Sequence, residues 1–252
     1  MKVAVFLYGE YRQFEQSVKL YTKQLSNLSP DYYLATWEDS LEQDSLKTYY
    51  VKHKVTEERI KTFLPDAHIK IDVDTSEHFN MCRNIYRLLN NCCDLYEKSN
   101  TEYDIVIVKR LHCIDRFEGA HQHLHPKILE TYDYNSIYTI NGLSDSKSFD
   151  FGDLFYYGNP KSIVRFIRAI NSRLTEVKKY KGNVHKDPDM FLFYSDFSVK
   201  KIPVNMNSVV IRPTADFIRV AEEATEINSE LFQKLDPYHS DWYSNGKYNV
   251  IR

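Results

Sequence analysis

A cation, an imidazole and a carboxylate follow a hydrophobic run near the middle of this 252-residue chain. The run Asp104–Lys109 is typical of a buried strand, and Arg110, His112 and Asp115 come soon after it. A guanidinium group binds phosphate oxygens through paired hydrogen bonds, while imidazole and carboxylate groups are ligands of divalent metal ions. These residue types at the end of a strand indicate a site for a phosphate group, with or without a metal ion.

Two further strand ends carry residues that suit the same chemistry. Lys2–Tyr8 is an apolar run that ends at Gly9, and Arg12 follows in the turn. A second strand, Asp31–Trp37, ends in a threonine and a tryptophan. In open parallel sheets, ligands bind in the crevice at the carboxyl ends of the strands. We therefore expect these three strand ends to border one crevice.

The elements between these runs alternate between helix and strand patterns. Apolar residues recur at helical spacing over residues 14–28, 56–64, 77–98, 160–177, 187–197 and 214–232, and further strand candidates are 68–74, 137–140, 154–157 and 201–211. The polar stretch 38–54 is interpreted as a loop or an irregular helix. This alternation predicts an α/β fold with a single doubly wound, mostly parallel sheet and helices on both faces. We expect one domain over residues 1–252, with a core of 1–212 and a C-terminal helix and tail of 213–252.

The overall composition is that of an ordinary globular protein, with 42% hydrophobic and 27% charged residues and a formal net charge of −2. This balance argues against a general nucleic-acid coat, since such proteins are strongly basic. The four cysteines show no CxxC spacing, and no apolar run reaches the length of a membrane span. We expect a cytoplasmic protein with reduced thiols and no membrane insertion.

Taken together, the order of short motifs resembles a family of bacterial and viral glycosyltransferases with a GT-A-like, Rossmann-type fold. Its members commonly open with a Ser-Gly-Gln-x-Arg turn, continue with an Asp…Thr-Trp strand, and carry a Tyr-Asp…Arg-x-Asp strand. The corresponding stretches here are Gly9–Arg12, with Glu10 where glutamine is usual, Asp31–Trp37 and Tyr103–Arg110, followed by Asp153–Gly158 and Lys186–Asp189. The resemblance covers roughly residues 1–212.

The resemblance implies transfer of a sugar from a nucleotide-diphosphate donor, with a UDP-sugar preferred, to an acceptor hydroxyl. The donor-binding residues that it implies are Gly9, Tyr11, Arg12, Thr36, Trp37 and Arg110. In this interpretation Arg12 reaches the pyrophosphate, Arg110 holds phosphate or sugar, and Trp37 borders the nucleoside.

His112 stands where the family has a carboxylate that suits a divalent cation bridging the diphosphate. Mn²⁺ accepts histidine, and Asp115 offers an oxygen ligand for Mn²⁺ or Mg²⁺. The alternative is a site without metal, in which Arg12, Arg110 and Lys109 neutralise the departing diphosphate. Both alternatives stay open at this stage.

The catalytic base of an inverting transferase must lie within hydrogen-bond reach of the acceptor hydroxyl. The candidates that we retain are Asp153 and Asp189. Asp153 is preferred because it stands at the start of a strand candidate, beside Gly152.

A helix from Pro160 places Lys161, Arg165, Arg168 and Lys179 opposite its apolar residues. A basic face suits a phosphate-rich partner, although a simple solvated face is the alternative. Relatives of the family occur in tailed phages, so the preferred acceptor is double-stranded phage DNA with hydroxymethylated bases, modified in the host cytoplasm. The base would have to leave the stack to reach the donor sugar.

Three other functions remain open from the sequence. The acceptor could be a polysaccharide or a lipid-linked glycan. The chain could be a non-catalytic nucleic-acid-binding protein that uses the basic helix. It could also be a nucleotidyltransferase, which would share the sheet and crevice but would use a nucleoside triphosphate and require a metal ion.

Overall fold

The structure is a computed structural model that describes residues 1–11, 14–43, 50–73, 81–111, 113–117, 132–139, 155–176, 196–202 and 206–210. Within these ranges the strands are β1 (Val3–Tyr8), β2 (Asp31–Trp37), β3 (Asp39–Gln43), β4 (Tyr50–Lys54), β5 (His68–Asp72), β6 (Ile105–Arg110), β7 (Cys113–Phe117), β8 (Ser136–Thr139), β9 (Phe155–Gly158), β10 (Ser198–Lys201) and β11 (Met206–Val210). The helices are α1 (Phe14–Leu25), α2 (Glu57–Lys61), α3 (Met81–Ser99) and α4 (Pro160–Glu176), and Ser26–Leu28 forms a 3₁₀ turn.

Seven of these strands form one sheet in the order β10-β8-β9-β6-β1-β2-β5. β1, β2, β5 and β6 pair in parallel, as do β8 and β10, while β9 is antiparallel to both of its neighbours. Six of the seven strands therefore run in one direction. The predicted α/β class with a single, mostly parallel sheet is confirmed.

Alternate residues of each strand enter two separate cores, one on each face of the sheet. Phe6 of β1 shares a core with Leu89 of α3 and Phe166 of α4. Its neighbour Val5 shares the other core with Val18 of α1. Because both faces of the central strands are covered, their sequences are continuous apolar runs, which is why the sequence reveals them clearly. Helices on both faces are thus confirmed.

Two helices begin at N-cap residues that can be recognised in the sequence. The Asn159 side-chain oxygen accepts a hydrogen bond from the backbone N–H of Lys161 at 2.8 Å, just before Pro160 opens α4. The Thr56 hydroxyl accepts one from the backbone N–H of Arg59 at 3.3 Å at the start of α2. Each cap satisfies an N–H that has no partner within its own helix.

Parts of the polar and irregular regions differ from expectation. Within the stretch 38–54, which we expected to be a loop or irregular helix, β3 and β4 form an antiparallel ribbon. β7 pairs with β11, which places the backbone of Asp115 opposite Ser208, and β11 lies within the strand candidate 201–211. The sequences of these strands contain no long apolar run, so backbone pairing rather than hydrophobic pattern defines them. The helices expected over 187–197 and 214–232 and the tail lie largely or wholly outside the described residues.

Cys92 and Cys93 lie inside α3 and are buried, free thiols. Burial raises the pKa of both thiols well above the usual range, which makes them poor nucleophiles. Both are consistent with the expected reduced thiols. Across the described helices, none has the length and apolarity that a membrane crossing requires.

Candidate functional site

The strand order reverses between β1 and β6, and this point lies at the centre of the sheet. From β1 the chain moves to β2 and then β5 on one side, whereas β6 pairs with the opposite side of β1. Such a switch point leaves a crevice at the carboxyl edge, where ligands of open α/β sheets bind. The carboxyl ends of β1, β2 and β6 are therefore the candidate site.

The register brings these three strand ends to one level. Tyr8, the last residue of β1, is paired with Arg110 on one side and with Ala35 on the other. Beyond the strand, the backbone N–H of Gly9 donates to the carbonyl of Ala35 at 3.3 Å, and that of Leu111 donates to the carbonyl of Tyr8 at 2.9 Å. Residues that are 100 positions apart in sequence thus border the same edge.

Gly9 has a φ of 124°, a conformation that side-chain-bearing residues rarely adopt. The absence of a Cβ lets the chain leave β1 sharply, and it also permits close approach of a ligand to the backbone. Gly9 is thus required by the turn, as the sequence predicts, and its contact with a donor stays a prediction.

Tyr11 is fully buried below the turn. Its ring lies 4.9 Å from the ring of Phe14, and the guanidinium carbon of Arg59 lies 5.0 Å from its centroid. The Tyr11 hydroxyl donates to Glu15 Oε1 at 3.3 Å, and Arg59 Nε donates to the same oxygen at 2.5 Å. Tyr11 therefore anchors the turn to α1 and α2 from inside the core, and its predicted contact with a donor stays a prediction.

Thr36 and Trp37 close β2 with their side chains on opposite faces. Thr36 is fully buried, and its hydroxyl has no hydrogen-bond partner in the described part of the chain. A buried hydroxyl without a partner is destabilising, and such groups are commonly retained for function. Trp37 is only 7% exposed, and the Arg87 guanidinium carbon lies 5.5 Å from its ring centroid. The indole therefore packs below the edge rather than forming its surface.

Arg110 and Lys109 end β6 in different environments. Arg110 is half-buried and shares the sheet face of Val106 and Val108, towards α3 and α4. Lys109 is fully buried on the other face, with its Nζ 5.6 Å from the ring of Tyr21 and 6.0 Å from the ring of Phe155. Lys109 thus lies beneath the edge, and its part in neutralising the diphosphate stays a prediction.

The acidic residues that open the same motifs lie at the opposite, amino edge of the sheet. The Tyr103 hydroxyl donates to Asp31 Oδ2 at 2.6 Å, and the Tyr33 and Tyr103 hydroxyls are 2.7 Å apart. The backbone N–H of Lys2 donates to Asp104 Oδ2 at 2.6 Å. We call these five residues the amino-edge network. It joins the starts of β1, β2 and β6 and so helps to hold the register on which the carboxyl edge depends.

The basic helix does not offer all of its predicted charges to a partner. Arg168 binds Asp94 Oδ1 and Glu97 Oε2, each at 2.7 Å, so two carboxylates of α3 offset its charge. Lys161 and Arg165 are exposed, and the Arg165 guanidinium lies 5.4 Å from a phenylalanine ring. Helix packing accounts for the position of Arg168, and its predicted part in a DNA-binding face stays a prediction.

The first basic residues of α4 lie near the amino edge of the sheet, whereas the candidate crevice lies at the carboxyl edge. Gly158, directly before the cap of α4, pairs with Val106 near the start of β6. The first turns of α4, which carry Lys161 and Arg165, therefore lie near the amino edge. This placement gives the DNA-acceptor prediction no support.

The remaining predicted residues lie outside the described part of the chain. These are Arg12, His112, Asp153, Lys179 and Asp189, together with the side chain of Asp115. Among the described side chains, no group of three or more His, Cys, Asp or Glu could hold a metal ion. The predicted Mn²⁺ or Mg²⁺ site on His112 and Asp115 thus stays a prediction.

No family model matches the sequence, and no curated protein matches it. Among solved structures, the chain is similar to the glycosyltransferase GlyE of Streptococcus pneumoniae TIGR4 at 16% identity and a TM-score of 0.46, over 81% of this chain and 45% of that one. The apo form of GlyE matches at 14% identity and a TM-score of 0.46, over 100% of this chain and 52% of that one. The chain spans about half the length of these structures. Likeness at this level assigns no activity.

Proposed function

We propose that this protein is a glycosyltransferase that binds a nucleotide-sugar, preferably a UDP-sugar, at the carboxyl edge of β1, β2 and β6. One observation carries the proposal. Three motifs that the family resemblance assigns to the donor are far apart in sequence, yet the parallel register aligns Gly9, Thr36 and Arg110 at one switch point. A crevice at such a point is the expected place for a nucleotide.

Sugar transfer at this edge requires a stabilised leaving group. The bond between the anomeric carbon and the phosphate oxygen breaks, and the nucleoside diphosphate leaves with the bonding electron pair. The Arg110 guanidinium, with Arg12 from the turn after β1, would bind the negative charge that develops on the diphosphate. Mn²⁺ or Mg²⁺ on His112 and Asp115 would supply further charge neutralisation, and a comparison with and without metal tests this part.

The acceptor hydroxyl must lose its proton as its oxygen bonds to the anomeric carbon. We assign the proton acceptor to Asp153, with Asp189 as the second candidate. Phe155, two residues after Asp153, pairs with Lys109 at the carboxyl end of β6, so the chain enters β9 from the edge that carries the donor site. Asp153→Asn should abolish turnover while leaving donor affinity unchanged.

Hydroxymethylated bases of phage DNA remain our predicted acceptor, and a polysaccharide or lipid-linked glycan is the alternative. Incubation of a UDP-sugar with each acceptor class, followed by measurement of UDP release, distinguishes them. A non-catalytic nucleic-acid-binding protein would instead bind DNA with strong salt dependence and release no UDP.

Donor binding is tested by thermal unfolding with UDP, UDP-sugars and other nucleoside diphosphates, each with and without Mn²⁺. A ligand at 100 times its dissociation constant should stabilise the protein by about 2.7 kcal/mol. Arg110→Gln should remove this stabilisation. The matched control is Lys161→Gln, which removes an exposed cation near the other edge and should change nothing. If no nucleotide stabilises the wild-type protein, the proposed function is wrong.

A further inference from the structure

The Arg87 side chain of α3 covers Trp37 at the carboxyl edge, one strand away from the switch point. Its guanidinium carbon lies 5.5 Å from the centroid of the indole ring. Trp37 is only 7% exposed, whereas 37% of the Arg87 side chain is exposed. The surface at the end of β2 therefore includes part of the Arg87 side chain, with the indole behind it.

The Asp72 carboxylate holds this guanidinium, and Asn91 and Lys70 in turn support that carboxylate. Arg87 Nη2 donates to Asp72 Oδ1 at 2.8 Å, and the Asn91 amide donates to Asp72 Oδ2 at 2.9 Å. Lys70 Nζ in turn donates to Asn91 Oδ1 at 2.7 Å. Asp72 ends β5 and is the register partner of Trp37. The indole and the carboxylate thus orient Arg87 before any ligand arrives, which reduces the entropy lost on binding.

The spacing of the strands relates Arg87 to the proposed diphosphate site. β1 separates β2 from β6, so the ends of β2 and β6 are two strand spacings, about 10 Å, apart. In a nucleotide, the ribose separates the base from the diphosphate. A diphosphate held beside Arg110 can therefore extend its base along the edge towards β2 and β5, where Arg87 lies.

We propose that Arg87 is a further donor-binding residue, which contacts the nucleotide base, and that Trp37 is a positioning residue that orients it. This inference rests on the proposed function. Guanidinium N–H groups pair with carbonyl oxygens, which uracil and guanine carry. Adenine carries an amino donor at the equivalent edge, which does not pair with a guanidinium. The site should thus favour UDP over ADP.

The test compares dissociation constants for UDP, ADP and inorganic pyrophosphate, measured by calorimetry on the full chain. Arg87→Met keeps the aliphatic part of the side chain against Trp37 but removes the donors. It should weaken UDP binding about 10-fold, as expected for loss of a hydrogen bond from a charged group, and leave pyrophosphate binding unchanged. Arg87→Lys keeps a charged donor for a single carbonyl oxygen, so it should weaken UDP binding less than Arg87→Met does.

Trp37→Leu tests positioning, since it should reduce the preference for UDP without changing pyrophosphate affinity. The matched control is Arg168→Met, because Arg168 is similarly exposed at 32% and is also paired with carboxylates, but away from the edge. It should bind all three ligands as the wild type does. If the wild type prefers UDP and Arg87→Met keeps that preference, this inference is overturned while the proposed function stands. If the wild type binds neither nucleotide nor pyrophosphate, both fall.

Discussion

The two edges of the same three central strands are built in opposite ways. At the amino edge, the amino-edge network pairs Asp31 with Tyr103, and Asp104 with the backbone of Lys2. At the carboxyl edge, Gly9 leaves β1 at a φ of 124°, which its missing Cβ permits, and the buried Thr36 hydroxyl has no partner among the described residues. A buried polar group without a protein partner requires an explanation, and contact with a ligand is one. The amino edge therefore stabilises the fold, and the carboxyl edge is the candidate for binding.

High pH should lower the free energy of unfolding more than any other change considered, because it removes tyrosine protons near the amino edge. Burial and the hydrogen bond to Asp31 raise the pKa of Tyr103, and burial raises the pKa of Tyr32 to about 12. The unfolded chain loses these protons near pH 10 while the folded chain keeps them. Their stabilisation is therefore present below pH 10 and is lost as the pH rises through the folded-state pKa, by up to about 1.4 kcal/mol per pH unit for each tyrosine.

Urea unfolding between pH 8 and pH 11.5 measures this loss. Tyr103→Phe should show a shallower decline above pH 10 than the wild type. Equal slopes for the two proteins would mean that Tyr103 makes no contribution to the alkaline transition.

Tyr103→Phe should also lower the free energy of unfolding at pH 7.5 by about 1–2 kcal/mol, because Asp31 and Tyr33 lose a buried partner. Its affinity for UDP should stay at the wild-type value, since the change lies at the other edge. Tyr134→Phe is the control, because Tyr134 is 57% exposed and should be neutral. A large loss of UDP affinity in Tyr103→Phe would remove the functional distinction between the edges.

Thr36→Val should have the smallest effect on the free energy of unfolding, and it should raise this free energy, whereas Tyr103→Phe lowers it. Removing a buried hydroxyl without a partner should raise the free energy of unfolding by about 1 kcal/mol. If the hydroxyl serves the nucleotide, UDP affinity should fall at the same time. A variant that is less stable and binds UDP normally would show that Thr36 is an ordinary core residue.

The sequence predicts the central strands and most helix starts, because both depend on local patterns. Lys2–Tyr8 is a continuous apolar run, and Asn159 caps α4 through its own side chain. The ribbon of β3 and β4 was missed because its pairing involves polar residues with no apolar run. The antiparallel direction of β9 was also missed, since the run of apolar residues does not encode direction.

The site is less predictable than the fold, because its contacts join distant parts of the chain. The sequence shows the charge of Arg168 but not its carboxylate partners, which lie about 70 positions earlier. Likewise, nothing near Trp37 in sequence indicates that Arg87 covers its ring. The sequence could predict that Gly9 and Arg110 share one edge, because the ends of parallel strands do so by a rule of topology rather than of local sequence.

The most direct test of the central claim is a double-mutant cycle on UDP affinity with Arg12→Gln, Arg110→Gln and the double variant. If both guanidinium groups bind one diphosphate, their effects should be non-additive by about 0.5–3 kcal/mol, because the loss of either displaces the group that both hold. Each single variant should bind uridine, which lacks phosphate, as the wild type does. Additive effects, or no effect of Arg110→Gln on UDP affinity, would contradict the account.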